Sequence, residues 1–332
     1  MKIVRNITVF AIAALAVGIV VSFFTTSNAL TDDTITIRFG HDAAETNERH
    51  TAVMHFKELV EERSGGHMEV LVYPNNQLGS ESEMVESVSL NDLQMVAASA
   101  YSQYNPQISV LELPYLFETH QQAWDAMDGE VGRLAAEPLL EDNLRIIAYF
   151  ENGFRHITAK KPIEEPADLR GVKIRTPEFP ISLRTFTAFG GNPTPMSFGE
   201  VYMGLQQGTI DAQENPIANT YANKLNEVQD YLILTGHQYS PLPVAIGEEF
   251  WQSLTPEEQQ IIEESASETA QFHRDLLQEN EAKMIEDLKE QGMTVIEDPD
   301  IEAFKEAGEP VYEQFRNSYG SELLDQILEA TE

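Results

Sequence analysis

The segment at residues 256–291 constrains the fold more than any other stretch. Thr255-Pro256-Glu257-Glu258 reads as a capping box with proline at the first helical position. Helical patterning then runs to Gln291, and Gly292 supplies a C-terminal stop. The run is 36 residues, about 54 Å at 1.5 Å per residue. Ile262, Ala266, Ala270, Leu277, Met284 and Leu288 keep one apolar face along it. A rod of that length exceeds the width of one small domain, so the helix is expected to cross two. The alternative is a pair of helices meeting at Asn280. Chain length agrees with two domains, because roughly 300 residues outgrow a single core.

The beginning of the chain points to export. Lys2 and Arg5 precede an almost unbroken apolar run at 7–24, followed by small residues at Ser27 and Ala29. This is the layout of a secretory signal peptide at 1–29, with cleavage expected after Ala29. The run is also long enough for a membrane anchor. The sequence holds no cysteine, which removes disulfides and a lipid-modified cysteine, and a bacterial periplasm is the expected compartment.

Without 1–29 the chain carries 19 Lys and Arg against 55 Asp and Glu, a formal charge of −36. Such a surface repels nucleic acid and anionic membranes. It suits a high-salt medium, where screening relieves self-repulsion.

Strand and helix patterns alternate along the rest. TITIRF (34–39), MEVLVY (68–73), LQMVAAS (93–99), LRIIAYF (144–150), FRHITA (154–159), VKIR (172–175) and IDAQEN (210–215) read as strands. Helical spacing covers 47–64, 81–90, the segment after Arg175 to Phe189, and 198–207. The alternation predicts an α/β protein with largely parallel sheets. Enzyme signatures are missing: no G-x-S-x-G, Walker A, G-x-G-x-x-G or H-E-x-x-H motif occurs. His50 and His55 share a helix but lie about 140° apart around its axis, a poor start for a metal site. No cofactor or metal is expected.

GVKIRTPEFP (171–180) poses the functional question. It sets Arg175 at the end of an apolar strand, in a chain rich in acid. A buried cation must find an anion, either within the chain or outside it. Here six stretches in order carry a resemblance over nearly the whole exported chain: PNNQLGSESEMVE (74–86), LPYLFETHQQAW (113–124), ENGFRHIT (151–158), PADLRGVKIRTPE (166–178), SFGEVYMGLQQGTIDAQENP (197–216) and LTGHQYSP (234–241). The chain resembles the DctP-type substrate-binding subunits of TRAP transporters.

The resemblance implies a two-lobed periplasmic solute-binding fold with two strands as hinge and a long helix spanning both lobes. Lobe I would take 31–152 and 241–280, and lobe II 153–240 and 281–332. It implies a carboxylate ligand clamped by Arg175, whose planar fork matches a carboxylate. Asn215 would assist through its amide, Arg155 would be a second cation, and Phe198 would pack on the ligand. In the empty protein Arg175 is expected to face an open, wet cleft.

Other candidates lie where strands end: His41, Glu81 and Tyr101 in lobe I, Glu178 after Arg175, and His237 with Tyr239 at the hinge. Local packing is the plain alternative for each. Trp124 and Trp251 read as packing residues. Lobe I offers His, Glu and Tyr rather than a second cationic fork, which favours a sugar acid such as D-glucuronate or D-galacturonate over a C4-dicarboxylate. The partners implied are that acid and the membrane subunits of a TRAP transporter. An exported enzyme acting on acidic sugars through paired carboxylates is the reading from another class.

Overall fold

A computed structural model describes residues 34–331; the leader expected at 1–29 lies outside them. The sequence opens with β1 (Ile35–His41), α1 (Glu48–Arg63), β2 (Met68–Tyr73), α2 (Glu81–Ser89) and β3 (Met95–Ala97). A 3₁₀ turn (Pro106–Glu112) leads to α3 (His120–Asp128) and α4 (Glu130–Ala136). The strand β4 (Leu144–Ala159) is followed by β5 (Lys173–Thr176), α5 (Pro180–Ala188), β6 (Asn192–Pro195), α6 (Val201–Gln207), β7 (Ala212–Pro216) and α7 (Ile217–Ala222). The chain ends with β8 (Tyr231–Gly247), α8 (Glu248–Ser253), α9 (Pro256–Glu290), β9 (Thr294–Ile296), α10 (Ile301–Tyr319) and α11 (Glu322–Thr331).

Three elements set the frame. The helix α9 is continuous through Asn280 and spans 35 residues, about 52 Å. Its Thr255 cap and capping box form as the sequence predicts. The strands β4 and β8 have 16 and 17 residues, roughly 53–56 Å at about 3.3 Å per residue, and pair antiparallel along their length. One expectation is corrected here. ENG does not separate two strands; it is a bulge inside β4, with the register shifting between Glu151 and Gly153. Gly153 has φ of +94°, a value glycine takes without steric cost.

The sheet order is β2-β1-β3-β8-β4-β7-β5-β6, with β9 also on β8. The outer strands pair parallel, while β3–β8, β8–β4 and β4–β7 are antiparallel. The sheet is therefore mixed rather than largely parallel, because the two long strands run in opposite directions through its middle.

The cores explain the long helix. Ile262, Ala266 and Ala270 pack with Phe39, Val53 and Phe56 from β1 and α1. Leu277, Met284 and Leu288 join a different cluster with Ile217, Ala218 and Leu232 from α7 and β8. One apolar stripe thus serves two cores. The C-terminal helices reach back: Phe304 packs with Phe186 and Phe189, while Val311, Phe315, Leu324 and Ile327 pack with residues such as Leu111 and Trp124. The fold is a mixed α/β architecture in which one long helix packs against two hydrophobic clusters.

Candidate functional site

Arg175 sits on β5, between β6 and β7, and only 3% of it is exposed. Its Nε and Nη2 both donate to the Met196 carbonyl, at 2.9 and 2.7 Å. The guanidinium carbon lies 5.8 Å from the centre of the Phe198 ring, within cation–π range. No carboxylate comes within ion-pair distance of Arg175 among the described residues. Burial pulls its pKa down to about 10, and the field of Glu214 acts the other way, so it remains a cation at neutral pH. The open, wet cleft expected from sequence is corrected: the cavity at Arg175 measures only about 40 Å³. That is far below the roughly 300 Å³ at which ligand pockets begin.

Glu81, Glu178 and Phe198 line this cavity with Arg175, together with Asp42 and Phe179. The cavity is roofed by loops that follow β1, β2, β5 and β6, the strand-end placement typical of α/β binding sites. At its rim Asn76 approaches Gly199 closely enough that a methyl group on Gly199 would meet the Asn76 amide at 3.3 Å. Larger hollows exist elsewhere, such as one of about 440 Å³ bordered by Asp128, Arg133 and Arg274. There Arg274 is already tied to Asp128 by two hydrogen bonds. Volume is a weaker guide than a buried cation without an anion, and the small cavity is the candidate site.

Arg155 is the contrasting case. It lies on β4, equally buried, and grips Glu214 through Nε and Nη2. It also donates to the Glu214 carbonyl at 2.9 Å and to Ser240 at 3.2 Å. Burial works to raise the Glu214 pKa, but Arg155 and the His237 hydrogen bond outweigh it and leave it below the usual value. His237 is fully buried, with Nε2 3.2 Å from Glu214 and Nδ1 2.8 Å from the Thr235 hydroxyl. Neither Arg155 nor His237 lines the cavity.

Asn215 is also inside. Its amide donates to Gln213 and its oxygen accepts from Asn219 at 3.2 Å. The Tyr101 hydroxyl donates to the Pro243 carbonyl at 3.3 Å, and burial raises its pKa. His41 sets Nε2 3.1 Å from Nδ1 of His50; burial, then the charge of Arg49, lowers its pKa to about 2. Trp124 and Tyr239 both donate to the buried Glu151 carboxylate, at 2.5 and 2.6 Å.

Arg49 is the residue that sequence reasoning missed. It stands in the first turn of α1, 2% exposed. Nη1 donates to Asp42 and, at 3.4 Å, to Glu81; Nη2 donates to Asn152 at 3.1 Å. From there a chain of amides runs on. Asn152 bonds Ser240 and Asn219, and Asn219 bonds Asn47 and Asn215. A signal for Arg49 was present, since a cation in a first helical turn opposes the helix dipole and needs a nearby acid. Glu112 carried no signal. It lies at the end of the 3₁₀ turn with Oε2 buried and unpartnered, and burial pushes its pKa up to about 8.

Residues 39–318 match the DctP family, described as bacterial extracellular solute-binding protein, family 7. The 2,3-diketo-L-gulonate-binding periplasmic protein of Escherichia coli is 38% identical over 88% of this chain and 91% of its own length. A Roseobacter denitrificans TRAP periplasmic solute-binding protein with bound L-galactonate superposes with a TM-score of 0.83 at 32% identity, covering 90% of this chain and 98% of that one. A Sulfitobacter counterpart with bound β-D-galacturonate gives 0.85 at 28% identity, covering 89% and 99%. The chain belongs to the DctP family of TRAP-transporter solute-binding proteins, whose members are extracytoplasmic binding subunits and not enzymes.

Proposed function

We propose that this protein captures a sugar acid in the periplasm, six-carbon monocarboxylates such as D-galacturonate or D-glucuronate in particular, and hands it to TRAP membrane subunits. The single observation that carries the reading is the Arg175 guanidinium, buried with a carbonyl and a ring but without a carboxylate of its own. A desolvated fork of that kind is matched by a ligand carboxylate through two parallel hydrogen bonds. Asp42, Glu81 and Glu178 line the same cavity and offer acceptors for sugar hydroxyls. The ligands bound by the Roseobacter and Sulfitobacter proteins support the same chemistry.

A cavity of about 40 Å³ does not admit a hexuronate without movement. The lobes, taken as 31–152 with 241–280 and 153–240 with 281–332, part and close about β4 and β8. Asn215 orders the amide chain beneath the ligand, and Arg155 sets the local field.

The test is a thermal-shift screen followed by calorimetry on D-galacturonate, D-glucuronate, L-galactonate, L-gulonate, succinate and L-malate. A ligand at 100 times its Kd adds about 2.7 kcal/mol of stability. Sugar acids should shift the melting temperature and be recovered unchanged. A larger shift with succinate or malate would replace this reading by a C4-dicarboxylate binder.

A further inference from the structure

We infer that Arg49 is a masked second cation, and that Asp42 and Glu81, by holding it, restrict the cleft to ligands with one carboxylate. The inference rests on the sugar-acid reading above and goes further into the same site. It begins with where each positive charge near the cavity is used. Arg155 is neutralised by Glu214. Arg175 has no carboxylate partner among the described residues and lines the cavity. Arg49 is held by Asp42 and Glu81, and it does not line the cavity, whereas those two carboxylates do. They face the cavity and hold the third guanidinium behind them.

The consequence follows from charge. A ligand whose carboxylate docks on Arg175 presents its far end to Asp42 and Glu81. Arg49 and Asp42 cancel formally. Glu81, raised to about 7 by burial and the neighbouring Asp42 charge, leaves this wall between neutral and one negative charge. A terminal hydroxyl or ring oxygen finds hydrogen-bonding partners there. A second carboxylate meets like charge, which costs several kcal/mol when desolvated, and the one guanidinium that could offset it is already taken. Arg49 is not fully satisfied either, since its Nε is buried without a partner. The site therefore holds what a dicarboxylate binder needs but keeps it covered. Asp42→Asn with Glu81→Gln preserves size and a carbonyl acceptor for Arg49 while removing the negative charge. An uncompensated buried guanidinium then draws an anion from the cleft.

D-galactonate and galactarate test this, because the two acids share carbon number and the four hydroxyls at C2–C5 and differ only at C6, where the hydroxymethyl of one is a carboxylate in the other. Calorimetry on the wild type should favour galactonate by at least about 100-fold, ~2.8 kcal/mol at 1.4 kcal/mol per decade. Asp42→Asn/Glu81→Gln should bring the ratio to about one or invert it, and adding Arg49→Gln should abolish the gain. Equal wild-type affinity for the two acids overturns the inference, as does an unchanged ratio in the double variant. Should the double variant not fold, Glu81→Gln alone and the wild-type ratio decide. A wild type that takes no sugar acid sinks the reading on which this rests. The masking is then judged separately, by whether galactarate raises the melting temperature of the double variant and not of the triple one.

Discussion

Arg155 and Arg175 are two arginines at 3% exposure, set on neighbouring parts of one sheet, with opposite surroundings. Arg155 has a carboxylate built for it 59 residues away in sequence, on the adjoining strand β7. Arg175 has a carbonyl and an aromatic face. Burial alone does not mark a functional cation. What distinguishes the two is whether the fold supplies the counter-charge. A paired guanidinium holds strands together; one left without a carboxylate in a lined cavity is, in the function proposed above, the receptor for an anion.

The sharpest way to break the comparison is to truncate the paired arginine. Arg155→Met strands Glu214 and His237 together in the interior, and removing one partner of a buried pair costs about 3–5 kcal/mol. Denaturant unfolding should show that loss with or without ligand. A variant as stable as wild type would mean that Glu214 is relieved by some other cation.

Arg175→Lys should do the reverse. A point charge cannot reproduce the fork, and losing one side of a desolvated pair costs about 2–5 kcal/mol of binding, roughly 30- to 5000-fold. Its melting temperature without ligand should change less than its affinity, because a lysine keeps the charge near the Met196 carbonyl and the Phe198 ring and Arg175 has no carboxylate to lose among the described residues. Near-normal affinity in the folded variant would return Arg175 to a structural role.

Glu112 sharpens the contrast from the acidic side, as a buried carboxyl facing the charges of Arg155, Glu81 and Glu214. Its pKa in the fold, about 8, lies above its ordinary value, so the folded state binds the extra proton between about pH 4.5 and 8. Stability therefore falls as pH rises through that window. Glu112→Gln should gain stability at pH 8.5, by about 1–3 kcal/mol as for an unsatisfied buried group, and change little at pH 5. No gain at pH 8.5 would show that Glu112 is already paired when ionised.

The smallest effect concerns charges outside these interior pairs. Raising NaCl from about 0.05 to 2 M should lift the melting temperature of a protein comprising residues 30–332, because screening relieves the repulsion of its formal charge of −36. The loss caused by Arg155→Met should persist at both salt levels, since buried pairs are screened far less. A flat salt response would remove the high-salt reading of the composition.

Much of the architecture was legible locally. Thr255, Pro256 and Glu258 start α9 through contacts within one turn, and the apolar stripe carries it on through Asn280. Cap signals and apolar periodicity act over a few residues, so they can be read without knowing the fold. Arg175 could be singled out because an apolar strand ending in a cation is a local anomaly. Glu81 and Glu178 gather with it near strand ends, as their places in the sequence suggest, and Phe198 joins them, as only the family resemblance implied.

Tertiary structure decided the rest. No local rule couples Arg155 to Glu214 across 59 residues, Arg49 to Asn152 across 103, or Asn47 to Asn219 across 172. In an acid-rich chain every arginine has many possible partners, and only the meeting of strands settles which one it takes. The sequence by itself determined that a long helix would join two cores and that an arginine would end an apolar strand. Which of the four buried guanidinium groups, Arg49, Arg155, Arg175 and Arg274, is left without a carboxylate was decided by the fold, because charge neutralisation in an interior depends on distances of a few ångströms between groups that the chain order keeps far apart.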